Sequence, residues 1–207
     1  MGETTKQYSL QEIRKKIYSM ILPITIESIL QMTAGLVSMA LIGRISSTDS
    51  TAVNSIGISS RITMIVWALF KGITTGASVF VAQSYGANNH RKLKKVIQQT
   101  LLSSIVLAFI FQQIIFWNAS ALLSIFNPSP QLSASGTLYL RTICWGLPFM
   151  VIMIAVAASL QGMGNAKTPM LIALMMNAIN ITLSYLLIFG RLGMPGLGIR
   201  GAAIATA

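Results

Sequence analysis

One carboxylate stands out in the sequence because its neighbours are apolar. Glu27 lies in the stretch LPITIESILQ, residues 22–31, whose composition is otherwise that of a lipid-soluble helix. A charged side chain at the centre of a bilayer costs about 2.5–3.5 kcal/mol on insertion scales, and such groups face a protein interior or water. The position of Glu27 therefore predicts a buried site that uses its charge.

Two interpretations of Glu27 remain open at this stage. Glu27 and Lys71 are predicted at similar depths, about 15 and 16 Å from the cytoplasmic ends of their helices at 1.5 Å per residue. If they pair, Glu27 stays ionised and holds two helices together; if Glu27 stands alone in a cavity, it can take up and release protons. Gln31, Ala34 and Ser38 fall within about 40° of Glu27 on a helix, and this polar and small stripe favours the second interpretation.

A second polar stripe occurs near the end of the chain, in MMNAINITLSYLLIFG. Asn177, Asn180 and Ser184 lie within about 60° of one another on a helix, so two amides and a hydroxyl face one direction. They either contact a ligand or ion, or make interhelical hydrogen bonds worth about 0.6 kcal/mol each. The sequence leaves both alternatives open.

The composition indicates that these residues are carried by membrane helices. Hydrophobic residues make up 54% of the chain and charged residues 9%, whereas a soluble domain has about 25% charged residues. The net charge of +11 comes from bases that sit between apolar runs, so we expect a lipid bilayer as partner and no nucleic acid. With one cysteine and one histidine in the chain, we expect no metal site and no cofactor. A membrane enzyme is the least favoured class, because the predicted spans contain one acid and no histidine.

Apolar runs near the length of about 20 residues that a spanning helix needs predict an all-α integral membrane bundle. Five runs are complete, and a sixth ends at Ala207 after about ten residues, which predicts a fragment with its sixth helix truncated. The predicted segments are a basic tail at 1–16 and a transmembrane lobe at 17–207, with helices at 17–42, 55–82, 96–117, 133–159, 169–189 and 198–207.

The basic residues predict the orientation. The tail, the second loop and the fourth loop hold nine Lys and Arg residues, against three in the intervening loops. By the positive-inside rule we expect a multi-pass protein of the plasma (inner) membrane with a cytoplasmic N-terminus. The basic loops also attract anionic lipid headgroups. Three bases remain inside the predicted spans, namely Arg61, Lys71 and Arg141.

Four motifs in order along the chain resemble the multidrug and toxic compound extrusion (MATE) family. They are GASVFVAQSYGANNHRKLKK at 76–95, SLQGMGNAKTPM at 159–170, NAINITLSYLLIFG at 177–190 and GLGIRGAAIATA at 196–207. The resemblance implies half of a twelve-helix transporter built of two six-helix lobes. Such a protein would export organic cations or other xenobiotics by alternating access, driven by H⁺ or Na⁺, with this chain as the N-terminal lobe and a C-terminal lobe as its partner.

Within the wider superfamily, the resemblance leaves one alternative, a flippase for lipid-linked saccharides. A flippase would be expected to have a basic central cavity for phosphates. The placement of Arg61, Lys71 and Arg141 is therefore the feature that separates the two functions.

The family's functional residues carry over only in part. The aspartate of the family's VDT motif, used for cation coupling, is replaced here by Ser38 in Val37-Ser38-Met39. The N-x-x-x-[DN]-Y pattern matches at Asn180 but has Ser184 in place of the acid or amide. Some relatives have a P-x-x-x-E pattern in the first helix, matched here by Pro23 and Glu27. The resemblance thus implies that coupling depends on Glu27 or on the C-terminal lobe.

Overall fold

The computed structural model of the protein describes residues 10–45, 51–190 and 199–206, and within these ranges every regular element is an α-helix. This confirms the predicted all-α membrane fold. The helices are α1 (Leu10–Ile45), α2 (Thr51–Gly86), α3 (His90–Ser124), α4 (Pro130–Cys144), α5 (Leu147–Gly162), α6 (Lys167–Phe189) and α7 (Ile199–Thr206).

Several of these helices are long and apolar enough to cross a membrane. In the described part of the chain they are α1, α2, α3 and α6, and the pair α4 and α5 adds a fifth span if it is counted as one broken helix. α1 starts seven residues before the predicted boundary at Ile17, because charged and polar residues continue a helix beyond the apolar run that hydropathy detects.

The structure divides the helix predicted at 133–159 into two. These two helices, α4 and α5, are bent by 50° relative to each other. At the break the backbone N–H groups of Trp145 and Gly146 bond to carbonyl oxygens three residues back, which is the tighter pattern of a 3₁₀ turn. Pro148 follows in the first turn of α5, where its missing N–H costs little but prevents one continuous helix.

The buried core lies among α2, α3, α4 and α5. Phe70 of α2 is fully buried and its ring meets the edge of Phe111 at a centroid distance of 5.7 Å. Leu123, Leu140 and Val151 from the other three helices complete this core. α1 packs mainly against α6, and α7 against α6 and α4, so α1 reaches the core helices at only a few positions.

The C-terminal end of α5 is held tightly against α2 by a glycine. A Cβ atom at Gly162 would lie 2.6 Å from the backbone oxygen of Ser78 and 3.0 Å from the Val81 side chain. Only glycine permits so close an approach of two helix backbones. The chain then turns toward α6 through Gly164, which has a φ of +86°, a left-handed conformation that glycine adopts without strain.

Candidate functional site

Glu27 is buried and hydrogen-bonded to two amides. Its exposed fraction is 4%. The Nε2 atom of Gln161 donates to Oε2 of Glu27 at 2.9 Å, and the Nε2 atom of Gln31 donates to Oε1 at 3.3 Å. We call these three residues the Glu27 cluster. Both of its donors are neutral, so the described residues bonded to the carboxylate include no counter-charge.

Two helices bring the cluster together. Glu27 and Gln31 lie one turn apart on α1, where side chains four residues apart are neighbours. Gln161 is in the last turn of α5, which the close contact of Gly162 fixes against α2. The cluster therefore connects α1 to the buried core. The sequence showed Gln31 as a candidate through its helical spacing, but it gave no indication that Gln161, 134 residues from Glu27, would be the nearer partner.

The amide of Gln161 carries both kinds of hydrogen-bonding group. In the structure its NH₂ group donates to Glu27. A rotation of the amide would exchange this NH₂ group for the carbonyl oxygen, which is an acceptor, with little change of shape.

The pairing of Glu27 with Lys71, one of the two interpretations that the sequence left open, does not form. The ammonium group of Lys71 lies 5.6 Å from the centroid of the Trp67 ring, one turn away on α2, an arrangement that gives a cation–π interaction. Glu27 instead is level with the end of α5, which packs on Ser78 and Val81. Lys71 is seven to ten residues from these two contacts, or about 10–15 Å along α2. The similar depths predicted from helix ends were misleading, because the helices begin and end at different levels.

The other two bases within the spans also have separate positions. The Nε atom of Arg141 donates to the backbone oxygen of Phe116 at 3.2 Å, and its guanidinium lies 5.3 Å from the centroid of the Phe116 ring. Arg61 is exposed and is ten residues from Lys71, about 15 Å along α2. Lys71 and Arg141 therefore each lie against a different aromatic ring.

The three residues of the second predicted stripe, on α6, make different kinds of contact. Asn180 donates through Nδ2 to the backbone oxygen of Ala205 in α7 at 2.7 Å, as the interhelical interpretation predicts. Asn177 donates within its own helix to Ala173 at 2.8 Å. The buried Oδ1 atom of Asn177 and the hydroxyl oxygen of the fully buried Ser184 have no hydrogen-bond partner among the described residues. Of the remaining candidates, Ser38 belongs to α1, but its side chain lies outside the described residues.

Sequence reasoning missed a buried tyrosine beside this stripe. Tyr139 of α4 is 5% exposed and its hydroxyl is hydrogen-bonded to Ser60 of α2 and Thr206 of α7. Thr206 follows directly after Ala205, to which Asn180 is bonded. Four helices therefore meet in one set of polar contacts. A tyrosine within an apolar helix is ordinary in a membrane protein, so the sequence contained no signal that could have identified it.

Comparisons with known proteins give a consistent set of similarities. A family model described as MatE matches residues 23–186. The chain is 34% identical over 200 residues to the probable multidrug resistance protein NorM of Thermotoga maritima, covering 94% of this chain and 41% of that protein. It is 30% identical over 203 residues to the probable multidrug resistance protein YoeA of Bacillus subtilis, covering 98% of this chain and 43% of that protein. The chain therefore spans well under half the length of these relatives.

Among solved structures, the fold is similar to that of a multidrug resistance MATE family transporter in an outward-facing conformation. The TM-score is 0.83 at 23% sequence identity, and the match covers 93% of this chain and 41% of that one. At this identity the likeness shows the fold alone.

Proposed function

The chain belongs to the MatE family, and on that premise we propose that it is part of a cation-coupled multidrug exporter. In this proposal the protein moves organic cations and similar xenobiotics out of the cell by alternating access, in exchange for H⁺ or Na⁺ moving inward. Relatives named as multidrug resistance proteins support the substrate class. Since the chain spans about two fifths of their length, we propose that it forms the N-terminal lobe and acts together with a C-terminal lobe.

The Glu27 cluster is the observation on which the coupling proposal rests. Glu27 is a buried acid, and in the described spans it has amides rather than a base as partners. Intramembrane acids without a paired base typically belong to ion or substrate pathways. In our proposal Glu27 carries the coupling proton, and Gln161 accompanies both of its protonation states.

The same contact explains how protonation could change the packing of helices. While Glu27 is ionised, its hydrogen bond to Gln161 is charge-assisted and roughly twice as strong as a neutral one. Protonation weakens this link between α1 and α5. Because α1 has few other contacts with the core helices, the link is a substantial part of what holds α1 to them. Proton uptake would thus favour a conformation in which α1 moves relative to α5.

In our proposal the cation exporter is preferred to the lipid-linked saccharide flippase. A flippase site would need converging bases to hold phosphate groups. The contacts of Lys71 with Trp67 and of Arg141 with Phe116 support this preference, because each of these two bases is engaged by its own aromatic ring.

Gradient-driven efflux from proteoliposomes containing the full-length protein tests the proposal. Ethidium serves as the transported organic cation, with an imposed H⁺ gradient in one series and a Na⁺ gradient in another. We expect wild type to transport ethidium in at least one series, Glu27→Gln to lose the gradient dependence, and Glu27→Asp to retain part of it. Glu12→Gln is the matched control, because Glu12 is an exposed acid in the first turn of the same helix.

Two results would contradict the proposal at different levels. Absence of ethidium transport by wild type under either gradient would argue against the exporter of organic cations. Transport by Glu27→Gln with the same rate and the same pH dependence as wild type would leave the exporter standing but remove Glu27 from its coupling mechanism.

A further inference from the structure

An open groove runs along the surface between α2 and α3. Its volume is about 910 Å³. Phe80, Leu102 and Val106 expose roughly half or more of their surface along it. The full lining consists of Ala77, Phe80, Val96, Gln99, Thr100, Leu102, Ser103, Val106 and Leu107.

None of the candidate site residues lines this groove, so it is separate from the Glu27 cluster and from the stripe on α6. From Val96 to Leu107 it follows α3 for eleven residues, or about 16 Å. This length is about half of a 30 Å hydrocarbon core, so the groove is about as long as one leaflet is thick. Its walls are mainly apolar, which suits an acyl chain.

Basic side chains stand at the end of the groove where α3 begins. The first turns of α3 contain Arg91, Lys92, Lys94 and Lys95, and all four are exposed. At 100° per residue, Lys92 is within about 40° of Val96, Gln99 and Ser103 on the α3 surface, so it stands in line with the groove.

The other three bases in the first turns of α3 point in different directions relative to Lys92. Lys95 lies about 60° from Lys92 and still borders the groove, whereas Lys94 points about 160° away and Arg91 about 100° away. The backbone at Lys92 is also held in place, because its N–H donates to the side-chain oxygen of Asn89 at 3.0 Å. Lys92 and Lys95 are therefore presented at the head of the groove, and Lys94 points away from it.

We propose that this groove is a binding site for one anionic phospholipid. The phosphate group lies against Lys92 and Lys95, and an acyl chain lies along the groove between α2 and α3. Charge complementarity favours this occupant: neither α2 nor α3 contains an acid, so the lysines have no carboxylate partner on the helices that form the groove. A basic pocket between membrane helices beside an acyl-sized channel is the arrangement that selects anionic headgroups.

Native mass spectrometry of the intact protein in detergent tests the site directly. The probe is palmitoyl-oleoyl phosphatidylglycerol, compared with palmitoyl-oleoyl phosphatidylcholine, which has the same chains and no net charge. We expect wild type to retain one phosphatidylglycerol in preference to phosphatidylcholine. Lys92→Gln should weaken that binding by about fivefold, and adding Lys95→Gln should weaken it about fivefold again. The matched control Lys94→Gln removes one charge from the opposite side of the same turn and should leave the binding within about twofold of wild type.

Two further measurements distinguish a lipid seated in the groove from a bound anion. Ser103→Trp fills the groove while keeping every charge, so it should also abolish the preferential retention; elution of each variant on size exclusion shows whether it remains folded. Millimolar inorganic phosphate should not displace the lipid. Equal losses of binding in Lys92→Gln and Lys94→Gln would mean unspecific attraction. Unchanged binding in Ser103→Trp would mean that no acyl chain occupies the groove, and displacement of the lipid by phosphate would mean an anion site. Each of these results overturns the proposal.

Discussion

Replacing Gln161 by leucine removes the 2.9 Å hydrogen bond that connects the buried Glu27 carboxylate to α5. Leucine has a similar volume, so the substitution mainly deletes the amide. Glu27 keeps Gln31 as a donor, but at 3.3 Å that bond is longer than the usual 2.9–3.0 Å and correspondingly weak. Loss of a hydrogen bond to a charged group costs about 1.5–3 kcal/mol, and we expect the free energy of unfolding to fall by that amount at neutral pH.

The second amide of the cluster provides a graded comparison. Gln31→Leu removes the longer bond at 3.3 Å, so it should lower the free energy of unfolding by a smaller amount than Gln161→Leu does.

Reversible unfolding in mixed micelles of SDS and a mild detergent provides the measurement, and a double-mutant cycle isolates the contact. We expect Gln161→Leu to cost much less in a Glu27→Gln background, with a coupling free energy of about 0.5–3 kcal/mol. If Gln161→Leu lowers the free energy of unfolding by the same amount in both backgrounds, the reasoning is refuted, because the amide would then act independently of the carboxylate.

Two further predictions concern helix packing. Gly162→Ala places a Cβ atom 2.6 Å from a backbone oxygen of α2 and should destabilise the protein by about 1–3 kcal/mol. In Gly76→Ala the new Cβ atom meets no described neighbour within 4 Å, so this variant should be more stable by up to about 1 kcal/mol, because alanine has the higher helix propensity. Equal midpoints for the two variants in SDS unfolding would contradict the packing argument. Asn180→Ala loses the hydrogen bond to Ala205 and should speed amide hydrogen exchange in α7. Asn177→Ala loses a bond that lies within α6 and should leave exchange in α7 unchanged. Equal exchange rates in the two variants would argue against Asn180 as the residue that holds α7 to α6.

The fold could be predicted from the sequence because membrane helices are specified locally. Apolar runs of sufficient length indicated the spans, and the structure places helices at all of them. The break within 133–159 was not detected, because Trp145 and Gly146 do not interrupt the apolar character of the run. A bend depends on backbone hydrogen bonds, which hydropathy does not report.

One residue of the candidate site, Glu27, could be predicted from the sequence, but the residues that contact it across helices could not. Glu27 could be singled out because a lone acid in an apolar run is costly wherever the helix packs. Its partner could not, because the contact with Gln161 depends on how α1 and α5 are arranged in three dimensions. Lys71 illustrates the same limit. Glu27 and Lys71 are at similar numbers of residues from their predicted helix ends, which suggested that they could pair, but the side chain of Lys71 contacts Trp67 on its own helix.

The bend between α4 and α5 also bears on how the chain returns along the bundle. The two helices have 15 and 16 residues, each shorter than the roughly 20 that a crossing requires, and the pair reaches that length only when it is counted as one broken span. Ser59 in the first half of α2 donates to the backbone oxygen of Gly136 in α4, and Gly162 at the end of α5 lies against Ser78 in the second half of α2. The broken pair therefore runs alongside α2 and in the same direction, and it brings the chain back to the end of the bundle at which α3 began.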